Sequence, residues 1–169
     1  MKKLTKIISC AAIGALTFFT SQSYAQESNS SNTWRLGIGL DAGAPTQSSS
    51  NFAIGGTVRL QYDLRNNTSL ILTPGYYNFF AKDGYGSDLG MVPVKAGIKS
   101  FFMPNLYFIA EAGAGFEVNH ASNTKLILAP GIGYASNRGL DLALRYENFS
   151  GQSNNYGMVA LRVAYGFKL

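Results

Sequence analysis

The stretch Leu140–Glu147, LDLALRYE, decides how the whole chain is read. Apolar Leu140, Leu142, Leu144 and Tyr146 alternate with Asp141, Ala143, Arg145 and Glu147, the period of two that separates the two faces of a β-strand. One face is greasy and the other carries charge. In a soluble sheet the charges would meet water and the leucines a core. In a membrane barrel the leucines would meet lipid and the charges would be enclosed. The reading of function depends on which solvent the leucines meet.

The chain has 169 residues, enough for one domain. Charged residues make up 14%, against about 25% in ordinary soluble domains, and there are 19 glycines. Much of the +5 net charge sits at the N-terminus, where Lys2, Lys3 and Lys6 precede an apolar run from Ile7 to Phe19 and the small residues Ser23 and Ala25. That order is a secretory signal peptide over residues 1–25, with cleavage after Ala25. The run is short of the roughly 20 apolar residues a transmembrane helix needs. Cleavage leaves eleven Lys+Arg against nine Asp+Glu, a net +2. The single cysteine, Cys10, lies inside the peptide. "IISC" resembles a lipoprotein box, but almost no apolar segment precedes it. The mature chain therefore has no thiol for a disulfide, a metal site or catalysis.

The mature chain divides into a short tail, 26–32, and a barrel domain, 33–169, of eight alternating segments. The strands are expected at 33–43, 52–64, 68–79, 90–102, 105–118, 124–135, 139–148 and 157–169. Tight connections (65–67, 103–105, 136–139) alternate with longer polar ones (44–51, 81–88, 119–123, 150–157). Short turns at one end and longer loops at the other form the outer-membrane barrel pattern, with the longer loops outside and both termini periplasmic.

The charges decide the matter. Arg35, Asp41, Arg59, Asp63, Lys95, Lys99, Glu111, Glu117, Lys125, Asp141, Arg145, Glu147, Arg162 and Lys168 all fall on the face opposite the apolar one. The remaining six charges fall in turns, loops or the tail. Glycine separates the two solvents. The charged faces also hold Gly37, Gly39, Gly43, Gly55, Gly75, Gly97, Gly113, Gly115, Gly131, Gly133 and Gly166. On a water-facing sheet glycine weakens a strand and gains nothing, but inside a narrow barrel it makes room for long arginine and lysine side chains. The opposite arrangement would put charges into lipid at roughly 2–4 kcal/mol each. The leucines are thus expected to face lipid and the charges to form an interior ion-paired network.

Two girdles of aromatics agree: Trp34, Tyr62, Phe102, Phe108, Tyr134 and Phe167 toward the short turns, and Phe52, Tyr76, Phe80, Phe116 and Tyr146 toward the longer loops. The chain ends in mid-pattern at VALRVAYGFKL, with Tyr165, Phe167 and Leu169 on the lipid face. With these features the mature chain resembles the small eight-stranded outer-membrane barrels of the outer membrane protein X and outer membrane protein A transmembrane-domain type. That resemblance implies an all-β, antiparallel up-and-down transmembrane barrel and recognition of the last strand by the barrel-assembly machinery, although Leu169 stands where a terminal Phe is usual. Pro74, Pro93 and Pro130 fall inside expected strands and are read as bulge or bend sites.

Chemistry is sparse. In NHASN (119–123), His120, Ser122 and Asn123 resemble the motif of lipid A deacylases, with Ser122 as nucleophile and His120 as base. No carboxylate follows before Asp141, two strands on, and these are also ordinary turn residues. There is no other histidine, no Gly-rich phosphate loop leading into a helix, and the basic residues are internal, which disfavours nucleic-acid binding. A barrel of this size is expected to be filled by side chains. The expectation is a cofactor-free, non-enzymatic structural or interaction component of the bacterial outer membrane, in contact with outer-membrane lipid. A protein partner would meet its loops or its wall, where Ala110, Ala112 and Ala114 lie. The alternatives are an esterase using His120 and Ser122, and a narrow ion or small-solute channel.

Overall fold

The computed structural model describes residues 33–46, 50–64, 67–82, 84, 87–119, 123–151 and 155–169. Eight strands run in chain order: β1 (Trp34–Pro45), β2 (Ser50–Asp63), β3 (Thr68–Ala81), β4 (Leu89–Phe101), β5 (Leu106–Glu117), β6 (Thr124–Ala135), β7 (Leu140–Gly151) and β8 (Tyr156–Lys168). Each pairs antiparallel with its sequence neighbours, and β1 pairs with β8 from Arg35↔Lys168 to Pro45↔Met158, which closes the barrel. Closure leaves no unpaired edge, as a chain crossing hydrocarbon requires. Strands of 12 to 14 residues, tilted as in such barrels, are long enough to cross roughly 30 Å of hydrocarbon.

The opening question is settled on β7. Leu140, Leu142, Leu144 and Tyr146 are exposed on the outer wall, while Ala143, Arg145 and Glu147 are at most 2% exposed. The same inversion runs round the barrel: Leu40, Ile54, Leu72, Ile98, Phe108, Leu126 and Leu161 face outward, and Asp41, Arg59, Lys95, Glu111 and Arg162 face in. Such a wall is stable only against apolar solvent, so this is a transmembrane barrel. The inward glycines leave space for the charges. A Cβ on Gly39 would stand 2.8 Å from the Arg162 guanidinium, and one on Gly131 would stand 2.7 Å from Cγ of Arg145. Gly56, by contrast, faces outward with nothing near it.

Both aromatic girdles lie on the outer wall. Trp34 and Tyr62 are register partners with ring centroids 4.7 Å apart, and Phe102 stacks on Phe108 at 4.4 Å near the short-turn end. Phe52 stacks on Phe80 at 6.4 Å near the other end. In the tight β6–β7 turn Gly139 has φ +93° and donates to the Ser136 carbonyl at 3.0 Å. An L side chain rarely adopts that backbone, so glycine is needed there.

Two expectations change. The longer connections shrink, because β1, β3 and β7 run two or three residues further than their alternation suggested and β2 begins earlier. Polar segments remain strand when they can still pair, and the pairing carries one residue past β1: Thr46, next after Pro45, exchanges backbone and hydroxyl hydrogen bonds of 2.8–3.1 Å with Gly157 near the start of β8. The prolines are not bulges. Pairing skips from Thr57↔Gly75 to Leu60↔Leu72, from Pro74↔Val94 to Tyr77↔Met91, and from Leu128↔Asn148 to Gly131↔Arg145, resuming each time in the same register. Around Pro93 pairing with β5 is continuous. The ladder opens locally where a donor is missing and does not shift. Among the described residues the register shifts only between Ser50 and Phe52.

The wall predicts its own sensitivity. Leu144→Arg, near the middle of β7 and half exposed, is expected to cost roughly 2–4 kcal/mol in a bilayer, measured by urea unfolding in phospholipid vesicles. Leu144→Ala, which keeps the wall apolar, is expected to cost less than that.

Candidate functional site

The lumen is organised in three layers, and the middle one is a charge network centred on Arg145. Its Nη2 donates to Asp41 Oδ1 and lies 3.0 Å from Glu147 Oε1, while Nη1 donates to Glu111 Oε2 at 2.9 Å. Lys95 Nζ pairs with Glu147 at 2.7 Å and donates to the Tyr77 hydroxyl at 2.9 Å, which donates in turn to Glu147. Thr73 donates to Glu111 at 2.6 Å and Thr57 to Asp41 at 3.0 Å. Arg59 Nε donates to Thr73, and its Nη2 stands 3.7 Å from Glu111. Arg162 Nη1 reaches across β1 to Thr57 and to Asp41 Oδ2, the latter at 3.4 Å. Every strand except β6 contributes. Alternation aims these residues inward, and the barrel's small radius brings strands distant in sequence into contact.

Toward the short turns, Asp63 accepts from Arg35 Nε and Gln61 at 2.6 Å and from Ser69 at 2.8 Å. Asp141 accepts from Lys99 and from the Tyr107 hydroxyl, both at 2.5 Å. The Lys99 ammonium also lies over the Tyr107 and Phe101 rings, 4.0 and 5.2 Å from their centroids. At this end the lumen is not packed solid. A cavity of about 750 Å³ opens between the tight turns, walled by Arg35, Arg59, Asp63, Lys99, Asp141 and Arg162.

Toward the longer loops the lumen turns apolar. Tyr77, Phe79, Met91, Ile127, Phe149, Tyr156 and Met158 form one buried cluster. Phe79 meets the rings of Phe149 and Tyr156 edge-on at 5.7 and 5.8 Å, and Phe149 stacks on Tyr156 at 4.9 Å. Lys125 lies 5.7 Å from the Tyr156 ring, and Glu117 accepts from Asn123 at 3.1 Å. Sequence reasoning missed this plug. Its inward aromatics Tyr77 and Phe79 sit beside Tyr76 and Phe80, which the girdle reading took, and Tyr156 falls in an expected connection.

Of the charges assigned to the interior, Asp41, Arg59, Lys95, Glu111, Arg145, Glu147 and Arg162 meet in the middle layer, while Arg35, Asp63, Lys99 and Asp141 pair below it. Glu117 and Lys125 belong to the upper layer, and Lys168 is exposed at the rim. His120 and Ser122 lie outside the described residues. Among the described residues no group of three His, Cys, Asp or Glu side chains could hold a metal ion.

The network predicts a mutational signature. Arg145→Met leaves Asp41, Glu111 and Glu147 without their shared cation, and breaking a buried pair in this way costs roughly 3–5 kcal/mol. The expected result is a lower urea midpoint in vesicles, together with a lower folded fraction on unboiled gels.

No family model matches the chain, and no curated protein matches it in sequence. Solved structures do match. The attachment invasion locus protein Ail of Yersinia pestis superposes with a TM-score of 0.60 at 16% identity, over 82% of this chain and 100% of that one. The N-terminal β-barrel domain of OprF from Pseudomonas aeruginosa gives 0.54 at 18% identity, over 78% and 97%. A de novo designed transmembrane β-barrel also gives 0.54, at 19% identity, over 84% and 100%. Since a designed barrel fits as well as OprF, the likeness carries the fold and nothing narrower: this chain has the fold of the small eight-stranded outer-membrane β-barrels.

Proposed function

We propose that the protein is an integral, non-enzymatic barrel of the bacterial outer membrane that holds a rigid closed body in the bilayer and presents its four longer connections to the outside as contact surfaces. Residues 1–25 direct export, residues 26–32 form a short periplasmic tail, and the last strand is the part handed to the barrel-assembly machinery. The observation that carries this reading is the closed lumen. An Arg145-centred network fills its middle, and the Phe79, Phe149 and Tyr156 rings seal its loop end. A solute path would have to cross both layers. Buried ion pairs and interlocked rings suit an anchor that keeps its shape.

The loop bases support a role in contact. Asp88 accepts from the Ala81 amide at 3.0 Å and from Asn78 at 3.4 Å, and Asn155 accepts from the Gly151 amide at 3.2 Å. These polar clasps hold the ends of the connections, leaving Gly-, Ser- and Asn-rich segments to meet a partner.

Two measurements test the reading. Folded protein added to a planar bilayer is expected to give a flat current trace, and discrete conductance steps would favour the channel alternative. Extraction from outer membranes in mild detergent is expected to give the barrel in a stoichiometric complex. A homogeneous monomer would argue against a partner, and a Ser122→Ala variant with altered lipid A deacylation would replace the proposal with the esterase.

A further inference from the structure

We infer that the vestibule at the short-turn end is a binding site for a small oxyanion, of the phosphate, sulfate or carboxylate kind, seated between Arg59 and Arg162. Four cations line this cavity, Arg35, Arg59, Lys99 and Arg162, against two carboxylates, Asp63 and Asp141. Both carboxylates are already engaged. Asp63 takes Arg35, Gln61 and Ser69, and Asp141 takes Lys99 and Tyr107. The other carboxylates within reach, Asp41 and Glu111, are already paired with Arg145. What remains for Arg59 is a 3.7 Å approach to Glu111, and for Arg162 a 3.4 Å approach to Asp41.

The consequence is visible atom by atom. Arg59 Nη2 and both Nε and Nη2 of Arg162 are buried without a hydrogen-bond partner among the described residues. The two guanidiniums are neighbours, since Arg162 extends over β1 to Thr57, two residues from Arg59 on β2. Two adjacent buried cations with incomplete counter-charge are costly. A planar guanidinium fork matches an oxyanion in charge and in shape. The cavity supplies the route, because it opens between the tight turns and holds on the order of 25 water-sized volumes. The site is at the opposite end from the loops and does not depend on what they contact.

Gly37 provides the decisive variant. It lines the cavity, pairs with Arg59 in the β1–β2 register, and a Cβ there would meet nothing nearer than 3.5 Å. Gly37→Glu would place a carboxylate beside Arg59 and supply the counter-charge from within. The test uses the full barrel folded in a maltoside detergent, which carries no phosphate or sulfate, titrated with inorganic phosphate against sodium chloride at matched ionic strength. Thermal unfolding is the readout. The expected result is a saturable rise in midpoint with phosphate that chloride does not reproduce. Gly37→Glu is expected to raise the midpoint without phosphate and to lose the response. Arg59→Gln, where it folds, is expected to weaken the apparent affinity by about tenfold, the worth of one charge-assisted hydrogen bond. Repeating the titration with phosphatidylglycerol in the detergent names the source: tighter binding than inorganic phosphate assigns a lipid headgroup, and weaker binding a free ion. A midpoint that follows ionic strength alone overturns the inference, as does a Gly37→Glu barrel that responds as the wild type does.

Discussion

The guanidinium of Arg145, held among Asp41, Glu111 and Glu147, is the interaction on which the rest of the lumen depends. Lipid outside the wall forbids charge there, and the narrow interior has little water to offer. Every charge brought inside must therefore find its partner on another strand. Arg145 does so on two others, joining β7 to β1 and β5, while its same-strand neighbour Glu147 adds Lys95 on β4. The network is thus a cross-link that only the closed barrel can form. Isolated hairpins would leave those charges unpaired, which couples closure of the β1–β8 seam to satisfaction of the interior.

The layers on either side of that network differ for a physical reason. Near the longer loops the inward positions carry phenylalanine, tyrosine and methionine, which pack edge-on and need no counter-charge. Near the tight turns they carry arginine, lysine and aspartate with glycine and alanine between them, and the space these small residues leave becomes the open vestibule. One end is sealed by packing and the other is held open by charge. The barrel is therefore polar along its axis, with one end packed shut and the other charged and accessible.

Much of the fold was legible from residues such as those of LDLALRYE, because strand alternation ties each side chain to one of two faces. Once glycine was seen to accompany the charges, the enclosed face was identified. Strand ends were less legible. Ala44, Ser50 and Ser150 fall in the expected connections, yet they extend the sheet because their backbone groups find partners. The prolines were misleading in a similar way: a missing N–H suggested a register shift, whereas the ladder opens at Pro74 and closes again unchanged. The aromatic plug was hidden because Tyr76 and Tyr77, or Phe79 and Phe80, are chemically alike and only their parity separates wall from lumen.

The amino-acid order alone determined that eight strands alternate and that charge lies on one face and lipid-compatible groups on the other. These are local properties, set by a period of two and by residue type. Which cation meets which carboxylate was decided only by the tertiary structure. Arg145 and Asp41 are 104 positions apart, and nothing in alternation specifies the closure register that brings them together. The same closure leaves Arg59 and Arg162 side by side with too little negative charge, a consequence of curvature and register that no single strand contains.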